Sequence, residues 1–585
     1  MTDQNAASDG GKDETRASTL DFLKSLIDRR VGAMFLLGIG AGLPFFLIFD
    51  TLSVWLRQEG LSLQAITAFA LATLSYALKF VWAPIVDRVK LPVLGDLLGQ
   101  RRSWILLMQI LIAVGLWLIS GSDPSSMLGY VAFLAVVVGI AGATQDIAID
   151  AWRIEAVEKK DYGVMAGAYQ WGYRGAMIVA GAVPLFLAEA YNWNVSYAVM
   201  AAFMLVAMAA TLFAPRGGEV RVRFVDVSDL PEHRVYETLE WSGRLLIIAL
   251  GALLAGSGLA ANATLLAALL DLAGMSSEQA EAFRTAWEAR PNGIFLQFPG
   301  VVAGLGLIAL ACIPLPGIET RPGLYLRRAY GQPLGDFFER FGLKLGMLIL
   351  ALICLYRLSD FVLNLMGPFY VDLGFTLGQI AEVRKIYGVV ASLAGIAAGA
   401  WMVTRFGVLR SMLIGVFASP LSNLVFIWVA MAGPDMAVLY AAITIDNFAT
   451  GIAGTALIVY MSSLTSAGFT ATQYALFSSL YAILGKIVAS QSGRIVEESA
   501  RASDAGGFNT FMRQWFTALP EQSYAAGAQT AGVTPAALGA GYVTFFIYSV
   551  VIGVFAVVLA FTVARRQGEI EARARAADTG TPATG

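Results

Sequence analysis

The chain contains very little of the chemistry on which most enzymes depend. Among its 585 residues, histidine occurs once, at His233, and cysteine twice, at Cys312 and Cys354. Zinc-type metal sites and histidine-driven acid–base catalysis therefore have almost no material, and a disulfide framework is not expected. The HExxH and GxSxG motifs of metalloproteases and serine hydrolases are absent. We expect no metal, no cofactor and no catalytic residue.

Charge is also scarce. Charged residues make up 14% of the chain, against about 25% in a typical soluble domain, and 57% of the residues are hydrophobic. The 40 Lys and Arg are balanced by 42 Asp and Glu, which leaves no basic excess for a nucleic-acid backbone. With a mean hydropathy of +0.67, the chain is not expected to be a soluble enzyme, a disordered scaffold or a nucleic-acid-binding protein.

Long apolar runs dominate the chain instead. Each run of about 18–25 residues can cross a hydrocarbon layer of about 30 Å, and about fourteen such runs occur. They predict an all-α polytopic membrane protein. The predicted spans lie near 31–55, 63–85, 103–120, 127–152, 162–189, 194–214, 243–270, 294–316, 344–366, 377–403, 409–431, 436–463, 470–495 and 541–563.

The spans group as six, two and six, which predicts two six-helix bundles with an extra pair between them. Residues 19–30 form either a short interfacial helix or part of a disordered tail. The predicted organisation is a tail 1–30, an N-terminal bundle 31–214, a linker with two extra spans 215–343, a C-terminal bundle 344–563 with a periplasmic loop 496–540, and a tail 564–585.

Basic residues predict the orientation, because they concentrate on the cytoplasmic side of membrane proteins. Both tails are then cytoplasmic. The basic pairs assigned to that side are Arg101-Arg102, Lys159-Lys160, Arg327-Arg328 and Arg565-Arg566.

The two bundles carry a weak internal repeat. Tyr169 and Arg174 in the fifth span have the same spacing as Tyr481 and Lys486 in the eleventh of the two bundles' twelve spans. Two similar halves that hold substrate between them near the membrane midplane are the architecture of major facilitator superfamily transporters. We therefore predict that fold.

Charges inside the membrane are costly and mark functional candidates. Arg174 and Lys486 lie near the predicted midplane. The others are Asp50, Lys79, Arg357, Asp360 and the pair Asp446-Asn447. Asp50, Asp146 and Asp360 are our candidates for proton coupling.

The fourth span carries the densest cluster. Asp146, Asp150 and Arg153 follow an i, i+4, i+7 pattern, which places them on one helix face. Asp146 either takes up a proton in one conformational state or forms a static salt bridge with Arg174 or Lys79. We expect Asp150 and Arg153, near the cytoplasmic end, to form a surface ion pair with a gating role.

The segment from Asp87-Arg88 to Arg101-Arg102 is acidic and then basic at a helix junction. It predicts an ion-paired latch between the halves, although positive-inside topology alone already explains the arginines. The positive-inside rule does not explain the presence of Asp87 in this segment.

Glycine and aromatic clusters have structural explanations as well as functional ones. Gly38–Gly42 predicts close helix packing rather than a nucleotide loop, because no strand precedes it. Trp171, Tyr173, Trp401 and Tyr481 could stack on sugar rings or could simply line the bundle.

Several stretches are specific enough to indicate a family. The chain resembles the AmpG-type muropeptide permeases of the major facilitator superfamily over about two-thirds of its length. The stretches that carry the resemblance are GIGAGLPFFLIFDTLSVWLR (38–57), YALKFVWAPIVDR (76–88), RRSW (101–104), ATQDIAIDAWRIE (143–155), GAYQWGYRGAM (167–177), LYRLSD (355–360), DNFATGIAGTALIVYMSSL (446–464) and FTATQYALFSSL (469–480).

The resemblance implies a proton-driven importer of anhydromuropeptides in the bacterial inner membrane, which serves peptidoglycan recycling and is linked to β-lactamase induction. For such a cargo, Gln145, Gln170, Asn364 and Asn447 would supply polar contacts beside the charged candidates. The expected partners are the solute, protons and lipid, and the expected state is a monomer. Alternatives are a related carrier of acetyl-CoA, a membrane-embedded enzyme and a transporter-like receptor.

Overall fold

The structure is a computed structural model that describes residues 24–59, 74–215, 234–289, 292–313, 319–489, 491–517 and 519–579. Within these ranges, twelve helical segments are long and apolar enough to cross a membrane. Two predicted spans are not among them: 63–85 lies partly outside the described residues, and 470–495 is present as the helix Thr470–Ala489. The structure is therefore compatible with about fourteen spans. His233 and residues 19–23 lie outside the described ranges.

The N-terminal helices share one apolar core, in which Leu37, Ile112 and Met204 are almost fully buried. A π-helical turn, Leu47–Thr51, joins the first two helices. In chain order the helices are α1 (Arg29–Phe46), α2 (Leu52–Gln58), α3 (Leu74–Leu78), α4 (Ala83–Arg88), α5 (Leu94–Leu98), α6 (Gln100–Ser120), α7 (Leu128–Glu155), α8 (Tyr162–Ala190) and α9 (Trp193–Phe213).

Helices α1 and α8 touch backbone to backbone. A Cβ atom on Gly172 would overlap the carbonyl oxygen of Phe35, and one on Gly38 would overlap that of Tyr169. Only glycine allows this approach. The predicted close packing at Gly38–Gly42 is thereby confirmed.

The inserted segment forms a helical hairpin beside the bundles. A Cβ on Gly251 would lie 2.7 Å from the carbonyl oxygen of Gly304, so the two long helices are also in close contact. Between them, the Trp287 indole donates to the carbonyl oxygen of Ser257 at 3.0 Å. The helices are α10 (Arg234–Ala260), α11 (Thr264–Leu272), α12 (Ser277–Glu288) and α13 (Ile294–Ala311).

A long helix, α14 (Arg321–Leu355), connects the hairpin to the C-terminal bundle. It is broken at Gly342, whose φ of 72° lies in the left-handed region. The segment 321–341 was expected only as linker. It instead bridges the two bundles, because Tyr330 donates to the carbonyl oxygen of Val81 and Gln473 donates to that of Pro333 at 2.9 Å.

The C-terminal helices enclose a second core, around Phe369 and Phe546. The predicted loop 496–540 contains helical segments that join this core through Phe516 and Tyr524. The helices are α15 (Leu358–Phe361), α16 (Met366–Leu373), α17 (Leu377–Ala381), α18 (Gly388–Phe406), α19 (Val408–Ser422), α20 (Val425–Ala432), α21 (Met436–Ser463), α22 (Thr470–Ala489), α23 (Ser492–Asp504), α24 (Ala525–Ala531) and α25 (Pro535–Thr579).

A third core joins the two bundles at one end of the molecule. Ile154 and Tyr162 from the N-terminal helices pack with Val403 and Leu457 from the C-terminal ones. We name this end the Asp87 end, after the residue that caps α22 there. Apolar contact between the bundles closes the molecule at this end.

Candidate functional site

Candidates from both bundles meet where α8 approaches α21 and the turn between α14 and α15. The Gln170 amide donates to Thr455 Oγ1 at 2.7 Å. A Cβ on Gly454 would lie 3.3 Å from Nη1 of Arg357 and 3.4 Å from Oε1 of Gln170. Gln170 and Arg357 therefore flank one glycine at the junction of the bundles, which brings the predicted candidates of the two halves together.

Two arginines, one from each bundle, lie close to each other at this junction. Arg174, one turn beyond Gln170, is close enough to Arg357 for their like charges to repel each other. Arg357 donates to Asp360 at 2.7 Å, and Asp360 also accepts a hydrogen bond from Ser419. Arg174 has no ion pair among the residues that the structure describes. Arg174 is thus a cation without a described carboxylate partner, and such a guanidinium suits an anionic ligand.

Asp446 and Asn447 lie at the edge of this cluster. Asp446 interacts electrostatically with Asp360 and Arg357 and accepts a weak hydrogen bond from Ser422 at 3.5 Å. The Asn447 amide donates to the carbonyl oxygen of Ile443 in its own helix at 3.0 Å. Asp446 therefore belongs to the cluster, whereas one donor of Asn447 is already occupied.

Two candidates cannot be placed. The side chains of Asn364 and Lys486 lie outside the described part of the structure. The correspondence between Arg174 and Lys486 stays a prediction. Tyr481, the other half of the repeat, lies against Arg357, while Tyr169 donates to Asp146 at 3.2 Å. Both tyrosines of the repeat thus contact a charged candidate.

A second network lies closer to the Asp87 end. Lys79 Nζ lies 3.6 Å from Asp146 Oδ2 and 3.5 Å from Asp150 Oδ2. Arg153 contacts Asp150 Oδ1 at 3.2 Å. Of the two salt-bridge partners predicted for Asp146, the structure has Lys79 and not Arg174. Two carboxylates share one ammonium and one guanidinium, so the four groups balance.

The expected surface ion pair is buried. Asp150 and Arg153 are only 5% and 1% exposed. The reason is the other bundle: Arg153 donates to Ser462 Oγ at 3.2 Å and lies over the Tyr474 ring, 5.1 Å from its centroid. Sequence position alone placed the pair near a helix end, but it could not show that the C-terminal bundle packs over the pair.

Asp87 joins the bundles at the end of the molecule. Its carboxylate accepts hydrogen bonds from Thr472 N at 2.7 Å and Thr472 Oγ1 at 2.5 Å, and so caps the first turn of α22. Arg101 holds Asp87 at 2.7 Å and binds Glu155 through two nitrogens, at 2.9 and 2.7 Å. A carboxylate at a helix N-terminus is favoured electrostatically. Asp87 therefore contacts both halves, as a latch requires.

The two arginines beside this cluster have other roles. Arg88 donates to the carbonyl oxygen of Arg328 at 2.9 Å, which attaches α4 to α14. Arg102 donates to the carbonyl oxygens of Thr211 and Leu212 at 2.9 and 2.7 Å, at the end of α9.

Two candidates lie elsewhere than expected. Gln145 is 0% exposed and donates to the carbonyl oxygen of Gly40 at 2.8 Å, so it joins α7 to α1 instead of facing substrate. Adjacent helical residues do not share a face, and Asp146 occupies the inner one. Asp50 is exposed, and no described contact links it to another candidate. It lies in the π-helical turn, which shifts the helix face.

The partners that the C-terminal bundle supplies were not among the predicted site residues. Ser462, Thr472 and Tyr474 complete the networks of Arg153 and Asp87. Thr472 lies in the first turn of α22, whose backbone N–H groups need an acceptor from outside the helix, and this need was the available signal. The acidic partner was not identifiable, because it is remote in the chain.

Two helical bundles with membrane-length helices and a charged junction define a multi-pass membrane transporter. The sequence profile of the Major Facilitator Superfamily matches residues 91–490, and that of Acetyl-coenzyme A transporter 1 matches residues 33–128. The chain belongs to the Major Facilitator Superfamily, and within it to the AmpG-type transporters.

Two relatives agree with this assignment, and one solved structure shares the fold. "Putative transporter AmpG 4" of Rickettsia conorii is 30% identical over 472 residues, which cover 80% of this chain and 90% of the relative. The Anhydromuropeptide permease of Escherichia coli is 26% identical over 84% of this chain and 77% of its own. The proton:xylose symporter XylE shares the fold, with a TM-score of 0.52 at 12% identity over 92% of this chain and 96% of its own.

Proposed function

We propose that the chain imports anhydromuropeptides, GlcNAc-1,6-anhydroMurNAc with or without its stem peptide, from periplasm to cytoplasm in symport with protons. The observation that carries this proposal is the pair Arg174 and Arg357 at the junction of the bundles, where only Arg357 has a described ion pair. Muropeptides carry carboxylates, which bind well to guanidinium groups. The names of the relatives support the same cargo.

Binding and positioning roles follow from the contacts. Arg174 and Arg357 bind the carboxylate. Gln170 and Asp446 bind amides or hydroxyls of the cargo, and Asp360 orients Arg357 through the hydrogen bond at 2.7 Å. Trp171, the next residue along α8, lies on another face of the helix, where its indole donates to the carbonyl oxygen of Leu393 in α18 at 3.1 Å.

Proton coupling is assigned to Asp146. In the present arrangement Lys79 compensates Asp146 and Asp150 together. If alternating access moves Lys79 away, one carboxylate is left unpaired in a buried site, which is costly unless it is protonated. The Tyr169 hydroxyl, which already contacts Asp146, can reorient to accept a hydrogen bond from the protonated acid.

The state of the transporter follows from the orientation. The distribution of basic residues favours a cytoplasmic Asp87 end in the bacterial inner membrane. Contacts of Asp87 with Thr472 and of Arg153 with Ser462 hold the bundles together at that end. We assign this conformation to the state that is closed to the cytoplasm. The transporter is taken to act as a monomer.

The test is uptake of radiolabelled GlcNAc-anhydroMurNAc-peptide into proteoliposomes, with and without an inward proton gradient. We expect accumulation that a protonophore abolishes. Asp146→Asn should remove accumulation while cargo exchange persists, and Asp271→Asn, in the exposed hairpin, should behave like the unmodified protein. Gradient-independent uptake would refute the coupling, and absence of uptake by folded protein would refute the cargo.

Acetyl-CoA is the second candidate, favoured by the profile match over residues 33–128. The same proteoliposomes distinguish the two cargoes when unlabelled acetyl-CoA competes with the muropeptide. We expect no competition, because the phosphates of coenzyme A call for more cations than the junction supplies.

A further inference from the structure

Two cavities meet on α14, outside the junction described above. One, of about 440 Å³, is mostly apolar and lies between the inserted helix α13, the connecting helix α14 and α22. The other, of about 790 Å³, is lined mainly by polar residues of α14. Arg327 and Gly331 line both. An apolar chamber thus adjoins a polar one, with an arginine at the boundary.

The apolar cavity follows one face of α22. Thr472, Leu476, Ser479, Leu480 and Ile483 line it, at helical spacings of three and four residues. From Thr472 to Ile483 the helix rises about 16 Å. This length is about half of a 30 Å hydrocarbon layer, so the cavity matches the chains of a single leaflet.

The cavity opens to the surroundings of the protein. Ile313 and Leu334, both in its lining, are 56% and 38% exposed. Phe469, immediately before α22, lines the polar cavity, which therefore lies at the Asp87 end. A molecule that enters from the bilayer would have its polar part at the membrane surface and its apolar part along α22.

Two polar groups that line the cavities have no described partner, and a lipid headgroup could supply one for each. Arg327 is exposed and has no ion pair in the described ranges. Ser479 is 1% exposed, lines the apolar cavity, and its hydroxyl has no hydrogen-bond partner among the described residues. Buried hydroxyls without a partner are unfavourable. An ester oxygen could accept from Ser479, and a phosphate could pair with Arg327.

We propose that these joined cavities bind one glycerophospholipid of the leaflet at the Asp87 end, with its phosphate on Arg327 and an acyl chain along α22. The occupant would contact the inserted hairpin, the connecting helix and the C-terminal bundle together. It would thereby give the inserted pair of helices a role as one wall of a lipid site.

The test is native mass spectrometry of the delipidated full chain, titrated with phosphatidylglycerol and separately with phosphatidylethanolamine. We expect one tightly bound lipid, and about tenfold weaker binding for Arg327→Gln because a charge-assisted contact is lost. Ser479→Leu, which fills the cavity, should also reduce occupancy. Arg410→Gln removes another exposed cation and should bind like the unmodified chain.

Several results would overturn the proposal. One is equal lipid binding by Arg327→Gln and the unmodified chain. Another is a loss of binding in Arg410→Gln as large as that in Arg327→Gln. Inorganic phosphate that displaces the lipid at similar concentrations would also overturn it, because the apolar cavity would then contribute nothing.

Discussion

Arg174 is the charged candidate with the least balanced surroundings. It is half-buried, repelled by Arg357 and without an ion pair in the described part of the chain. Lys79, Arg153 and Arg357, by contrast, each contact a carboxylate. A cation without a carboxylate partner is available to a ligand, whereas removal of a paired one destabilises the fold.

We therefore expect Arg174→Gln to weaken binding of the anionic cargo without loss of stability. The KM for uptake should rise about tenfold, since a charge-assisted contact is lost. Thermal unfolding in detergent should change little. Arg410→Gln is the control, because it removes an equal charge at an exposed position. An unchanged KM would contradict the assignment of Arg174.

At the scale of helices, glycine determines which elements can approach each other. Gly38 and Gly172 allow the α1–α8 contact, and Gly251 and Gly304 allow the hairpin to close. Other glycines in the same helices have open space around them, Gly181 of α8 among them. The contrast gives a matched test within one helix.

Gly172→Ala should lower the unfolding midpoint, because its Cβ would overlap the Phe35 carbonyl and force the helices apart. Overpacking of this kind costs about 1–3 kcal/mol. Gly181→Ala should leave the midpoint unchanged or raise it, since alanine favours helix. Thermal unfolding of both variants measures the difference. Equal midpoints would mean that α1 and α8 can separate without cost.

At the scale of the whole molecule, the bundles are joined at the Asp87 end by an apolar core and by polar contacts beside it. Asp87 is shared between Arg101 of one bundle and Thr472 of the other. Arg153 connects Asp150 to Ser462. Opening at this end must break both connections, so the closed state depends on them.

Asp87→Asn should increase opening at this end, because it removes the charge that both Arg101 and the start of α22 favour. In a background with Cys312 and Cys354 replaced by serine, Val403→Cys, in the apolar core that joins the bundles at this end, reports opening through its rate of maleimide labelling. We expect faster labelling in Asp87→Asn.

The control for this experiment is Asp123→Asn. The carboxylate of Asp123 accepts hydrogen bonds only from Ser125 and Ser126 of its own loop, among the described residues. Its removal should leave labelling unchanged. If Asp87→Asn labels no faster than Asp123→Asn, the latch role is refuted.

Sequence alone determined the class of this protein, most of its spans and the set of charged candidates. Apolar length and the cost of buried charge are local properties, so they can be read along one chain. Local periodicity also placed Asp146, Asp150 and Arg153 on one face, as the structure has them. The glycine cluster at Gly38–Gly42 was predictable for the same reason.

Tertiary structure decided which charges are compensated and which are left over. Asp146 pairs with Lys79 and not with Arg174, and Gln145 points towards α1. Asp150 and Arg153 are buried because the other bundle packs over them. The apolar cavity along α14 also depends on tertiary structure, because residues of α13 and of α22 line it together. These outcomes depend on contacts between residues far apart in the chain, and no local pattern encodes them.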